Sequence, residues 1–81
     1  MEYIINSTRQ ENEVLITNVT ITLDSSDVIT CDIAHYMPQN LEEIKQNIIN
    51  RSISEQAKLD TIKNLSNLIE QIPLNETITS N

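Results

Sequence analysis

Two alternating runs, separated by four turn-forming residues, constrain this chain more than any other feature. Between Glu13 and Leu23, the residues Leu15, Val19, Ile21 and Leu23 share one parity, while Asn18, Thr20 and Thr22 share the other. Between positions 28 and 37, Ile29, Cys31, Ile33, His35 and Met37 alternate with Thr30, Asp32, Ala34 and Tyr36. A period of two sustained over such lengths marks half-buried strands. Asp24-Ser25-Ser26-Asp27 lies between them, so the pair reads as an antiparallel hairpin. Both apolar sets must face the same side, because a one-residue slip turns a whole strand over. The expected register sets Leu23 opposite Ile29, Ile21 opposite Cys31, Val19 opposite Ile33 and Leu15 opposite Met37. It also sets Asp24 opposite Val28, leaving Ser25-Ser26-Asp27 as a three-residue loop with Ser26 or Asp27 left-handed.

Residues 2 to 6 form a weaker third strand candidate of undetermined register, joined to the hairpin by the polar stretch 7 to 12. Three antiparallel strands with one covered face are the least that stands alone. Pro38 closes the sheet because it cannot donate to a ladder, and Asn40 with Glu43 three residues on reads as a helix N-cap. Leu41, Ile44 and Ile48 recur at helical spacing to about Arg51. Ser52 or Ser54, with Glu55 three after Ser52 as in a capping box, reads as the cap of a second helix, whose stripe of Leu59, Ile62, Leu65, Ile69 and Ile72, with Leu68 beside it, runs to Pro73. The expected fold is therefore α+β: a three-stranded antiparallel β-meander followed by two α-helices packed on one face. Residues 1–73 form a single small domain and 74–81 a polar C-terminal tail.

Composition narrows the function classes. The net charge is −7, with five lysines and arginines scattered along the chain. Phosphate neutralisation needs a cationic cluster, so direct nucleic-acid binding is not expected. The absence of glycine removes every loop that cradles phosphate by close backbone approach. No run approaches a membrane span, and the start of the chain lacks the pattern of a secretory leader, so a soluble protein of the cell interior is expected. A single cysteine allows no internal disulfide.

No constellation for catalysis emerges. Cys31 and His35 share a strand face roughly 13 Å apart, too far for shared ligation or a nucleophile–base pair, and read as a core cysteine and a histidine at the sheet's edge. Asp24 and Asp27 lack the alternating ligands and the turn glycine of a calcium loop. No cofactor or metal is expected, and the protein does not read as an enzyme. The candidate interaction residues are of three kinds. Val14, Ile16, Val28 and Tyr36 point away from the expected core and could form an apolar patch. Asp24, Asp27 and Asp32 could imitate phosphates. Arg51, placed between the two expected helices, could bond the last carbonyls of the first, pair with Glu55 or reach a partner.

The order of a strand ending in Asp32-Ile33-Ala34-His35-Tyr36-Met37-Pro38, a helix, Ile49-Asn50-Arg51-Ser52 and Glu55-Gln56-Ala57-Lys58-Leu59 resembles small uncharacterised proteins encoded by tailed bacteriophages. The resemblance spans residues 28 to 59, departs from the pattern where Ser25-Ser26 replaces a hairpin glycine, and implies a phage accessory or virion protein with no catalytic residues. The function expected is a non-enzymatic accessory, virion or assembly protein that acts through protein–protein contacts. Its partner would be itself, as a homo-oligomer, or another phage or host protein, in the host cytoplasm or on the virion. The alternative is an acidic inhibitor of a host defence nuclease.

Overall fold

The computed structural model describes residues 1–73; the expected tail at 74–81 lies outside the described residues. Among the described residues three strands, β1 (Glu2–Glu11), β2 (Val14–Thr22) and β3 (Val28–Tyr36), form one antiparallel sheet in the order β1-β2-β3, followed by a single helix, α1 (Leu41–Ile69).

The hairpin of β2 and β3 keeps the expected shared face but shifts its register by two residues. Ile21 faces Ile29, Val19 faces Cys31, Thr17 faces Ile33 and Leu15 faces His35. Leu23 leaves the ladder to brace the turn: its amide donates to the Asp27 carbonyl at 2.8 Å, and the Ser26 amide donates to the Leu23 carbonyl at 2.9 Å. Because Leu23 is buried in that position, the longer loop costs no apolar burial, and a shift of two preserves parity. Ser26 takes the left-handed conformation, with φ 71°.

β1 is twice as long as the 2-to-6 candidate. It continues through the polar stretch to Glu11, opposite Val14, and turns back through Asn12 and Glu13. Asn12 makes so short a turn possible by adopting φ 55°, which asparagine tolerates better than most residues. Alternation hid the strand because a bulge at Asn6 inserts one residue between the Ile5–Val19 and Ser7–Asn18 pairs. Tyr3 and Ile5 therefore share the inner face with Thr8 and Gln10, while Arg9 and Glu11 are turned to the outer face.

α1 starts as expected. The Asn40 side chain accepts the Glu43 amide at 3.0 Å, and the Glu43 carboxylate accepts the Gln39 amide at 2.9 Å. The expectation of two helices is corrected here to one. Ser52 is a buried interior residue whose hydroxyl donates to the Ile48 carbonyl at 2.9 Å, as serines within helices do. Glu55 takes Arg51 and Lys58 rather than closing a capping box. With no proline or glycine from 41 to 72, nothing interrupts the backbone ladder. Arg51 thus sits in mid-helix and not at a junction.

The core consists of Val19, Ile21, Leu23 and Ile33 from the hairpin and Ile48 from α1, with Ile29, Cys31, Ile44 and Leu59 packed around them. At the far end of the sheet, Gln56 accepts the Ser25 amide at 3.3 Å, which fixes where α1 passes the β2–β3 turn. The seated part, 41 to 59, runs about 28 Å, close to the roughly 30 Å length of a nine-residue strand. Beyond Leu59 every described residue is exposed. The ten helical residues after it carry α1 about 15 Å past its support.

Candidate functional site

Three arrangements stand out from this scaffold: the unsupported end of α1, the open face of the sheet, and a buried histidine.

The helix end carries Ile62, Leu65, Leu68 and Ile69, and Ile72 follows in the turn just past it. The sequence pattern assigns all of them to the core, yet they are 53–62 % exposed. At 100° per residue the four helical ones fill a stripe about 120° wide, while Asp60 and Lys63 lie on the opposite side. The stripe is uncharged from Ile62 to Ile72 and continuous along its length. Periodicity could not separate seated from unseated positions, because both repeat at the same spacing. The usable signal was length: a helix uninterrupted from 41 to 69 is too long for nine-residue strands.

On the outer face of the sheet a polar ladder crosses all three strands. The Asn6 amide donates to Asn18 Oδ1 at 3.0 Å and to Thr20 Oγ1 at 2.8 Å, and Thr20 and Thr30 share a hydrogen bond at 3.2 Å. Asn18 Nδ2 donates to Asp32 at 2.9 Å, and Arg9 reaches Asp32 at 3.3 Å and Glu11 at 3.2 Å. The Asn18 amide first, then the Arg9 guanidinium, hold the Asp32 carboxyl below its ordinary pKa. The ladder divides the expected apolar patch. Val14 lies opposite Tyr36 and Ile16 opposite Ala34 at one end, whereas Val28 lies opposite Thr22 at the other, roughly 26 Å along the strand from Tyr36. Val14 and Ile16 are half-buried, and Tyr36 is 76 % exposed.

The three aspartates are likewise placed apart. Asp24 pairs with the N-terminal amine at 2.8 Å and Asp27 accepts the Ser25 hydroxyl at 2.6 Å, both in the turn, while Asp32 stands on the outer face. Arg51 donates to Glu55 at 2.9 Å on the helix surface, and with Lys58 it lowers the Glu55 pKa.

His35 stands on the edge strand β3, as expected at the sheet's edge, and is fully buried there. Nδ1 lies 2.9 Å from the Asn47 amide nitrogen and Nε2 lies 2.9 Å from Thr17 Oγ1. With Asn47 donating to Nδ1, the proton sits on Nε2 and is donated to Thr17, so the ring is neutral with both nitrogens satisfied. Burial lowers its pKa. Thr17 could have been read as inward from its parity with Leu15 and Val19; Asn47 gave no comparable signal. Cys31, half-buried opposite Val19, does not take part. Among the described residues no group of three or more His, Cys, Asp or Glu could hold a metal ion, and no helix is long and apolar enough to cross a membrane.

No family model, curated protein or solved structure matches the chain.

Proposed function

We propose that this is a non-enzymatic assembly or accessory protein of a tailed bacteriophage, acting by protein–protein contact in the host cell or on the virion. One observation carries the contact reading: five large aliphatic side chains form a continuous, uncharged stripe along a helix end and the turn that follows it, which no other described residue covers. Such a stripe is costly to leave in water, and patches of this kind mark association surfaces. The phage assignment rests on the resemblance over residues 28 to 59. The alternative, a phosphate-mimicking nuclease inhibitor, has less behind it, because Asp24, Asp27 and Asp32 occupy two separate surfaces and two of them are engaged with cations.

Light scattering on a sizing column, over a concentration series at low and high salt, tests the reading. The expected result is a salt-insensitive mass above the 9.2 kDa of one chain, reverting to monomer in Leu65→Lys/Ile69→Lys and persisting in Val14→Lys/Ile16→Lys. Reversion in the second variant alone would move the contact to the outer face of the sheet. A monomer at every concentration would overturn self-assembly.

A further inference from the structure

Building on that reading, we infer that the far half of α1 pairs with the same segment of a second copy, antiparallel, about a two-fold axis level with Asn67. The spacing of the helical stripe, 62, 65 and 69, is the three-four alternation by which one helix seats side chains between those of another. Antiparallel pairing about residue 67 matches the stripe to itself. Leu65 meets Ile69 of the second copy on both sides of the axis, Ile62 meets the turn that carries Ile72 just past the end of the other helix, and Leu68 lies along one flank. At roughly 100 Å² of accessible surface per exposed aliphatic side chain, the five residues offer about 500 Å² of apolar surface per copy. A two-fold pair thus offers about 1,000 Å² before any polar rim, and a rim of about 40% of the interface brings the total near 1,600 Å², the size of stable interfaces.

Charge selects the direction. Each copy carries a net charge of −7. The helix line that bears the stripe continues backwards through Lys58, Glu55 and Arg51, which neutralise one another as ion pairs, so the direction is set by the acidic sheets, which parallel pairing would bring side by side. Antiparallel pairing opposes the two helix dipoles and carries the seated segments, centred near residue 50, about 50 Å apart along the axis. At a Debye length of about 8 Å, repulsion between the sheets is then screened. The product is a rod with a sheet at each end.

Pairs of nitroxide labels read the arrangement directly. In a Cys31→Ala background, Asn67→Cys and Asp60→Cys each place one label per chain on the same side of α1. Both positions face away from the stripe, so antiparallel pairing, with no axial offset at 67 and about 21 Å at 60, should lengthen the interlabel distance by about 7 Å from the first site to the second. Equal distances at both sites would mean parallel pairing and overturn the inference while leaving association through the stripe intact. Association with the longer of the two distances at 67 would place the contact elsewhere and also overturn it. A monomeric mass would instead remove the self-assembly reading on which the inference rests.

Discussion

The two halves of α1 repeat aliphatic side chains at the same helical spacing and meet opposite fates. In the near half Ile48 is fully buried, and Ile44 and Leu59 pack against the core; in the far half Ile62, Leu65 and Ile69 face water. The sequence pattern is the same in both. What differs is the length of the surface beneath: nine-residue strands support about nineteen helical residues, and α1 has 29. An amphipathic stripe records that a helix has a partner, and the geometry of the rest of the molecule decides whether that partner lies within the chain.

Stability measurements sharpen the contrast. Ile48→Ala should cost about 2–5 kcal/mol, the range for truncating a buried aliphatic side chain, whereas Ile69→Ala should change the unfolding free energy of the monomer by less than about 0.5 kcal/mol. Urea titrations at a concentration where the chain is monomeric separate the two, and equal losses would mean that the far half is seated after all. The continuity that joins the halves can be tested at Ile53, which is exposed and so contributes little packing. Proline there should cost about 3 kcal/mol by breaking a helix interior. A chain with a helix start at Ser52 would accept it, since proline suits the first helical position, so an unchanged midpoint would restore the two-helix architecture.

A smaller effect is expected from acid. His35 is buried beneath the near half, with its pKa depressed, so the unfolded chain takes up a proton at a pH where the folded one does not. Stability should be complete above the ordinary histidine pKa of about 6.5 and fall as pH drops through that value towards the depressed one. Denaturation midpoints compared at pH 7.5 and 5.5 should show the decline, and His35→Gln should flatten it. A decline of the same size in the variant would assign it to other groups.

Much of the fold could be read from residue order because local and tertiary preferences agree there. The parity of β2 and β3, the left-handed Ser26, the Asn40 cap and the helix that follows all express short-range rules that the tertiary structure reinforces. Three features escaped. The register moved by two because a buried Leu23 can stabilise the turn as well as the ladder, and alternation alone does not distinguish these outcomes. β1 escaped because the bulge at Asn6 breaks its period and because an edge strand exposed along its whole length needs no apolar face. The second helix was inferred from a serine–glutamate spacing that also fits a helix interior. Of the candidate site, Val14, Ile16 and Tyr36 are outward-facing neighbours at one end of the sheet, but the helix stripe was hidden by assigning it to the core.

Among the described residues three left-handed turns are made, in a chain without a single glycine. Asn12, Ser26 and Met37 hold φ of 55°, 71° and 45°, and for a residue such as Met37 that conformation costs about 1–2 kcal/mol relative to the right-handed region. The compensating effect appears in no contact of the native structure. A chain without glycine has fewer backbone conformations available when unfolded, and each glycine replaced at a tolerant position is worth about 0.4–1 kcal/mol through that ensemble. Strain concentrated at three turns of the folded state is thus set against an unfolded state of lower entropy, so part of what stabilises this molecule lies in the disorder it never had to give up.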